Sequence, residues 1–125
     1  MLLRGDGILT FAKSKIVVEI DNGFANYYRS FIPKNIKYNI PRYPPHITVS
    51  RNEEYKLPLL QNVIFDFAYD TELMIDQKYI WLNVVSKNLV DLRKSLKLPP
   101  MAELSRPPDG SDFFHITLGN FKFGT

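Results

Sequence analysis

The two histidines of this 125-residue chain each begin the same four-residue pattern. His46-Ile47-Thr48-Val49 and His115-Ile116-Thr117-Leu118 both read histidine, apolar residue, threonine, apolar residue. In a β-strand, side chains two residues apart share a face, about 7 Å apart along the chain. Each histidine therefore points the same way as its threonine, while the apolar residues point into the core. If the two strands are neighbours, two imidazoles and two hydroxyls converge on one concave patch.

Four such polar groups around one small space suit the cleavage of a phosphodiester. A neutral imidazole can take a proton from an attacking hydroxyl, while a protonated one gives a proton to the leaving oxygen. The threonine hydroxyls can donate hydrogen bonds to the non-bridging oxygens as charge develops on them. We therefore predict the catalytic residues to be His46, Thr48, His115 and Thr117. A module that binds a nucleotide with these groups, without turnover, is the alternative.

This division of labour needs no metal ion. The chain has no cysteine, and two histidines fall short of a zinc ligand set. A magnesium site built from carboxylates alone stays open at this stage.

The elements that must position the two motifs follow a repeated order. The first half contains β-forming stretches at 8–11 and 16–20, then a helix capped by Asp21 or Asn22 and ended by Pro33. The strand from His46 to Ser50 follows. The second half contains β-forming stretches at 63–69, 71–76 and 79–85, with a hairpin at 76–78. A helix capped by Ser86, a loop over 101–112 and the strand 113–118 complete it, and 121–123 extends that strand or pairs beside it.

Composition is that of one ordinary globular domain spanning residues 1–125. Apolar residues make up 45% and charged residues 23%, which excludes disordered, collagenous and coiled-coil chains. The absence of cysteine fits a cytoplasmic location, and we expect neither a signal peptide nor a membrane span. Residues 1–56 carry nine basic and five acidic side chains, so the first half favours an anionic partner such as a nucleotide or RNA.

At the two histidine motifs the chain resembles the two-histidine (2H) phosphoesterase superfamily. Its signature is two copies of histidine, hydrophobic residue, serine or threonine, hydrophobic residue on paired central strands. The resemblance implies an α+β fold, duplicated and two-lobed, with mainly antiparallel sheets, a central groove and two helices outside. It also implies that His46 and His115 are the general base and acid, in an order left open, and that Thr48 and Thr117 bind the phosphate.

Within that superfamily, the short chain and the 69-residue separation of the histidines resemble those of the small phage and viral branch. That branch includes the Swiss-army-knife 2H domains and the phage anti-CBASS phosphodiesterases, which destroy cyclic di- and trinucleotide alarm signals. The resemblance implies hydrolysis of such messengers in the host cytoplasm, with no cofactor and no obligatory protein partner. Two other substrates remain open, namely 2′,5′-oligoadenylate and 2′,3′-cyclic RNA ends.

Recognition of a nucleotide substrate needs flat surfaces and hydrogen-bond donors near the groove. Four residues are candidates for substrate binding: Phe11, Tyr43, Trp81 and Arg106. For the three aromatic residues, packing in the core is the competing interpretation, and for Arg106 it is a plain surface position on the loop.

Overall fold

The computed structural model describes residues 1–12, 14–53, 63–102 and 105–122. Their helices and strands follow the order strand, strand, helix, strand, twice over. The first set is β1 (Leu2–Ala12), β2 (Lys15–Glu19), α1 (Asn22–Arg29) and β3 (His46–Arg51). The second set is β4 (Val63–Ile75), β5 (Tyr79–Val84), α2 (Lys87–Ser95) and β6 (Phe114–Asn120). The predicted repetition of element order is confirmed.

The six strands form one closed antiparallel barrel in the order β1-β2-β3-β6-β5-β4. The predicted fold class, a two-lobed α+β domain with a groove between the lobes, is therefore wrong. Its two halves share a single sheet, and the helices are only eight and nine residues long. The barrel closes because β1 and β4 pair along Leu2–Leu9 and Val63–Asp70, while β3 and β6 pair on the other side.

Strand β1 begins six residues earlier than predicted, and this extension supplies the closure. Sequence reasoning passed over it because it holds two glycines and two charges, which depress β-propensity. A Cβ atom on Gly7 would lie 2.3 Å from the carbonyl oxygen of Glu19, so only glycine allows β1 and β2 to approach this closely. Strand β4 is likewise one strand where two were predicted, with an irregularity in its pairing between Tyr69 and Leu73.

Both predicted helices are present, and each packs one side on the barrel. Helix α1 starts after Asp21, and Phe24 and Tyr28 on it pack against the ring of Tyr69. Helix α2 starts after Ser86 and buries Leu89. The predicted hairpin at 76–78 is confirmed, since it joins the antiparallel strands β4 and β5. The Asp76 carboxylate accepts hydrogen bonds from the backbone N–H groups of Lys78 and Tyr79 in this turn. Residues 121–122 do not continue β6, and residue 123 lies outside the described residues.

The apolar residues of both histidine motifs lie in the barrel core. Ile47, Val49, Ile116 and Leu118 are all fully buried, as the strand alternation predicts. The histidines and threonines between them consequently lie on the outer face of the sheet. None of the described helices is both long and apolar enough to cross a membrane.

Candidate active site

The two histidine motifs lie side by side on β3 and β6. These strands are antiparallel, with Ile47 paired to Ile116. This register places His46 opposite Thr117, and Thr48 opposite His115. All four side chains line one open cavity of about 730 Å³ on the outer face of the barrel. The structure thus brings together the four residues that the sequence predicted to converge.

Each histidine is held by a backbone carbonyl through the same ring nitrogen. Nδ1 of His46 lies 2.9 Å from the carbonyl oxygen of Pro44, and Nδ1 of His115 lies 3.2 Å from that of Ser105. A carbonyl oxygen can only accept, so Nδ1 is the donor in both rings. The opposite nitrogen, Nε2, is then free in both residues to exchange protons with a ligand in the cavity.

Burial changes the acid strength of His115. It lowers the pKa of His115 to about 4, because the charged imidazolium loses solvent, and the nearby His46 lowers it further. The hydrogen bond to Ser105 and the charge of Asp109 act in the opposite direction and do not cancel the effect. His115 is therefore neutral at pH 7, with its Nε2 lone pair available as a proton acceptor.

A buried polar network connects β3 to α2 and to the segment that precedes β6. Arg93 on α2 is fully buried and donates hydrogen bonds to the carbonyl oxygens of Val49 (2.8 Å) and Pro99 (2.7 Å). Its guanidinium also donates one hydrogen bond to each carboxylate oxygen of Glu53, at 2.6 and 2.8 Å. Ser105 donates its own hydroxyl hydrogen bond to the Val49 carbonyl at 3.0 Å. The network therefore joins β3 to the segment whose backbone orients His115.

A β-bulge in β3 adds Arg51 to the site. Val17 pairs with Thr48, but the preceding residue, Ile16, pairs with Ser50, so Val49 is an extra residue on β3. Val49 and Ser50 are both fully buried, and the alternation is reset after them. Arg51 consequently lies on the same outer face as Thr48 and lines the cavity.

Sequence reasoning missed Arg51 as a site residue for this reason. Strict alternation from His46 places residue 51 on the inner face, where an arginine would not be expected. Tyr79, at the start of β5, also lines the cavity and was missed. Nothing in the local sequence around Tyr79 distinguishes a tyrosine that lines a cavity from one that packs in the core. A signal for the bulge does exist in the sequence, because both motifs continue with the same spacing to a polar residue, as HITVSR and HITLGN.

Arg106 and Tyr43, two of the predicted substrate-binding residues, are at the site. Arg106 lines the cavity together with Pro107, Pro108 and Gly110, which form one wall. Its Nη2 is 2.9 Å from a carboxylate oxygen of Asp112, whereas its buried Nε has no hydrogen-bond partner among the described residues. Tyr43 is 70% exposed and lines two smaller cavities that adjoin His46, of about 300 and 530 Å³.

Phe11 and Trp81, the other two predicted substrate-binding residues, are buried. Phe11 is on the inward side of β1 and packs in the barrel core. Trp81 lies beside Thr117 on the neighbouring strand, is only 1% exposed, and uses its indole N–H to bond Asn83 at 2.9 Å. Neither side chain lines any of these three cavities. Sequence alone did not reveal which side of the strand each ring occupies.

The surroundings of the site are electropositive. Within the described residues, one carboxylate, that of Glu19, lines the three adjoining cavities. Five cationic side chains line them: Lys15, Arg42, Arg51, Arg106 and Lys122. Because cationic side chains outnumber this carboxylate five to one in the lining, the cleft favours an anionic ligand. Over the described parts of the chain, no three His, Asp or Glu side chains are grouped closely enough to hold a metal ion.

In comparisons with known proteins, no family model, no curated protein and no solved structure matches this chain. The geometry of the cavity therefore carries the functional interpretation.

Proposed function

We propose that this protein is a metal-independent phosphodiesterase that hydrolyses cyclic di- and trinucleotides by two-histidine acid–base catalysis. The observation that carries the proposal is the cross-strand arrangement on β3 and β6. Each histidine lies opposite the threonine of the other motif, Nδ1 of each ring is bonded to a backbone carbonyl oxygen, and all four groups line one cavity with Arg51 and Arg106. The resemblance of both motifs to those of the two-histidine phosphoesterases supports the same chemistry.

The two histidines have different tasks in this proposal. His115 is neutral at pH 7 because burial depresses its pKa, so it is the general base. It takes the proton of the ribose 2′-hydroxyl, whose oxygen attacks the adjacent phosphorus. His46 gives a proton to the departing 5′-oxygen as the P–O5′ bond breaks. The product of this step is a 2′,3′-cyclic phosphate, and the ring of the cyclic oligonucleotide is open.

Water then opens the 2′,3′-cyclic phosphate by the same route in reverse. His46, now neutral, takes a proton from water, and the resulting hydroxide oxygen bonds to phosphorus. His115 returns its proton to the departing 2′-oxygen, which restores both rings to their starting states. In both steps Thr48 and Thr117 donate hydrogen bonds to the non-bridging oxygens, where negative charge accumulates.

A substrate panel tests the proposal. The protein is incubated with cyclic dinucleotides, cyclic trinucleotides, 2′,5′-oligoadenylate and 2′,3′-cyclic nucleotides, and the products are identified by mass. We expect a linear product heavier than a cyclic substrate by one water. His46→Ala and His115→Ala should each reduce the rate by about 10²- to 10⁴-fold while binding is retained. Equal product from wild type and either variant would overturn the catalytic proposal.

Two further outcomes of this panel are informative. Cleavage of only 2′,5′-oligoadenylate or 2′,3′-cyclic ends would keep the mechanism and change the substrate. Binding without any product would show a module that sequesters nucleotides.

Excess EDTA should leave the rate of hydrolysis unchanged, and a loss of activity that magnesium restores would contradict the metal-independent mechanism.

A further inference from the structure

The bulge in β3 has a counterpart at the same position of the second motif. On β6, Thr117 pairs with Trp81 and Gly119 pairs with Ile80, so Leu118 is an extra residue on that strand. The alternation is reset there as it is after Thr48. Asn120 therefore lies on the outer face, three residues after Thr117, just as Arg51 lies three residues after Thr48.

Arg51 and Asn120 are at opposite ends of the site, because β3 and β6 run antiparallel. Arg51 lies past Thr48 and lines the 730 Å³ cavity at the end where His115 is found. Asn120 lies past Thr117 and lines the adjoining 530 Å³ cavity, which also contacts His46. A ligand whose phosphate lies among the four motif side chains thus has one of these residues on each side.

Arg51 has a second cation next to it. Lys15 is directly opposite Arg51 across the β2–β3 ladder, and both line the 300 Å³ cavity beside His46 and Thr48. Like charges in directly opposite positions destabilise a sheet. In the described part of the chain neither residue forms a salt bridge with a carboxylate. Two facing cations beside a phosphate-cleaving site are suited to a second phosphate group.

Asn120 has different neighbours, suited to a nucleoside. Its Oδ1 accepts hydrogen bonds from the backbone N–H of Lys122 (3.2 Å) and from Nδ2 of Asn39 (3.3 Å). The backbone donor fixes the amide orientation, so Nδ2 of Asn120 is the group that can donate to a ligand. Tyr79 pairs with Asn120 across β5 and β6 and lines the same cavity, and Nζ of Lys122 lies over one face of its ring, 5.2 Å from the centroid. An amide donor beside an aromatic ring can bind a base by hydrogen bonding and stacking.

We propose that Arg51 and Asn120 bind the two parts of the substrate that flank the phosphate being cut. Arg51, with Lys15, binds the neighbouring phosphate on one side, and Asn120, with Tyr79, binds the nucleoside on the other. This inference rests on the proposed function and adds the groups that recognise its substrate. The phosphodiester that is cut lies inside an oligonucleotide with nucleotides on both sides, and a 2′,3′-cyclic phosphate is hydrolysed as the intermediate of that cleavage, not as a separate RNA end.

The test measures binding, so that it does not depend on turnover. In the His115→Ala background, the dissociation constant of a fluorescein-labelled RNA trinucleotide is measured by fluorescence polarisation. A 2′,3′-cyclic mononucleotide serves as a competitor of minimal size. Arg51→Gln and Asn120→Ala are each compared with Lys94→Gln, a control on the exposed side of α2.

We expect Arg51→Gln and Asn120→Ala each to weaken trinucleotide binding by about tenfold, and to weaken binding of the cyclic mononucleotide by a much smaller factor. The salt dependence of trinucleotide binding should distinguish the two variants. Arg51→Gln should reduce the slope of log K against log salt by about 0.7, the value for one contact to a single-stranded phosphate, whereas Asn120→Ala should leave it unchanged. Lys94→Gln should leave the dissociation constants of both ligands unchanged.

Three results would overturn the inference: equal losses of affinity for the trinucleotide and the cyclic mononucleotide, no loss of affinity for the trinucleotide, or the same loss of affinity in Lys94→Gln. Arg51→Lys guards against misfolding at the bulge, because it keeps the charge and should keep the salt slope of the parent protein. If the wild type hydrolyses no phosphodiester but these binding results hold, the proposed catalysis fails and the two binding sites stand.

Discussion

Ser105 holds His115 in place through its carbonyl oxygen, which accepts the Nδ1 hydrogen bond of the imidazole at 3.2 Å. Ser105 is itself anchored to β3, because its hydroxyl donates to the Val49 carbonyl at 3.0 Å. The orientation of the histidine on β6 thus depends on a contact with the neighbouring strand β3. Burial in this setting keeps the ring uncharged, and the first two predictions follow from that.

The acid side of the pH profile of activity should report the depressed pKa of His115. A general base must be neutral, and the pKa of His115 is about 4. We therefore expect protonation of His115 to cause no loss of kcat/KM as pH falls from 7 to about 5, and a tenfold loss per pH unit only below about 4. Kinetics on a cyclic dinucleotide would measure this profile. An NMR titration of His115, assigned by comparison with His115→Gln, gives the pKa independently. An acid limb centred near 6.5 would contradict the assignment of His115 as base.

The same group should make folding stability depend on pH. The folded pKa of His115 lies below its ordinary value of 6.5, so between pH 6.5 and 4 the unfolded chain binds a proton that the folded protein does not. The free energy of unfolding should therefore fall as pH is lowered through this range, by on the order of 2 kcal/mol. Urea denaturation at pH 7.5, 6.5, 5.5 and 4.5 measures it.

His115→Gln is the matched control for this stability measurement, because its amide does not titrate and the slope should be correspondingly smaller. Below the ordinary carboxyl range a further loss is expected from Glu53, whose pKa is lowered mainly by its hydrogen bond with Arg93. An identical slope in wild type and His115→Gln would show that another group is responsible.

Removing either threonine hydroxyl should slow catalysis without unfolding the protein. Thr48→Val and Thr117→Val keep the β-branched shape on an outer sheet position, so we expect normal melting temperatures. The rate should fall by roughly 10- to 1000-fold if each hydroxyl donates to a charged phosphate oxygen in the transition state. Thr10→Val, at a position on β1 that lines none of the three cavities, is the control and should be fully active. A variant with an unchanged rate would place its hydroxyl outside the reacting centre.

The buried guanidinium of Arg93 should contribute much more to stability than an exposed one. Arg93→Ala leaves the Glu53 carboxylate without its cationic partner and removes one donor each from the carbonyl oxygens of Val49 and Pro99, so we expect a loss of about 3–5 kcal/mol in the free energy of unfolding. Arg4→Ala is the matched control. It removes a 2.8 Å ion pair with Asp66 between two exposed side chains and should cost less than about 1 kcal/mol. Both values come from chemical denaturation, and similar losses in the two variants would refute the structural role assigned to Arg93.

The strands that carry the motifs could be predicted because their local pattern is decisive. Between His46 and Thr48, and between His115 and Thr117, polar and apolar residues alternate, and the alternation alone puts the histidines and threonines on one face. The helices were predictable for a similar reason, since Pro33 and the pair Pro99-Pro100 limit where each can continue. These are short-range properties of the chain.

The remaining features depend on contacts between distant parts of the chain. Closure of the barrel requires residues near Leu2 to pair with residues near Asp70, and neither segment shows this by itself. The position of Arg51 on the outer face depends on how β3 aligns with β2, because the bulge changes which residues face outward. For Phe11 and Trp81, an aromatic side chain on a strand is compatible with either face, so only the three-dimensional packing decides.

The matching bulges give a nearly symmetric scaffold an asymmetric recognition surface. Equivalent backbone positions carry a guanidinium in one repeat and a carboxamide in the other, so turning a ligand end for end exchanges a charged partner for an uncharged one. A nucleotide chain, which has distinct 5′ and 3′ directions, would bind with unequal energy in the two orientations. If the proposed catalysis holds, polarity of this kind would fix which bridging oxygen faces His46, and hence which P–O bond is broken.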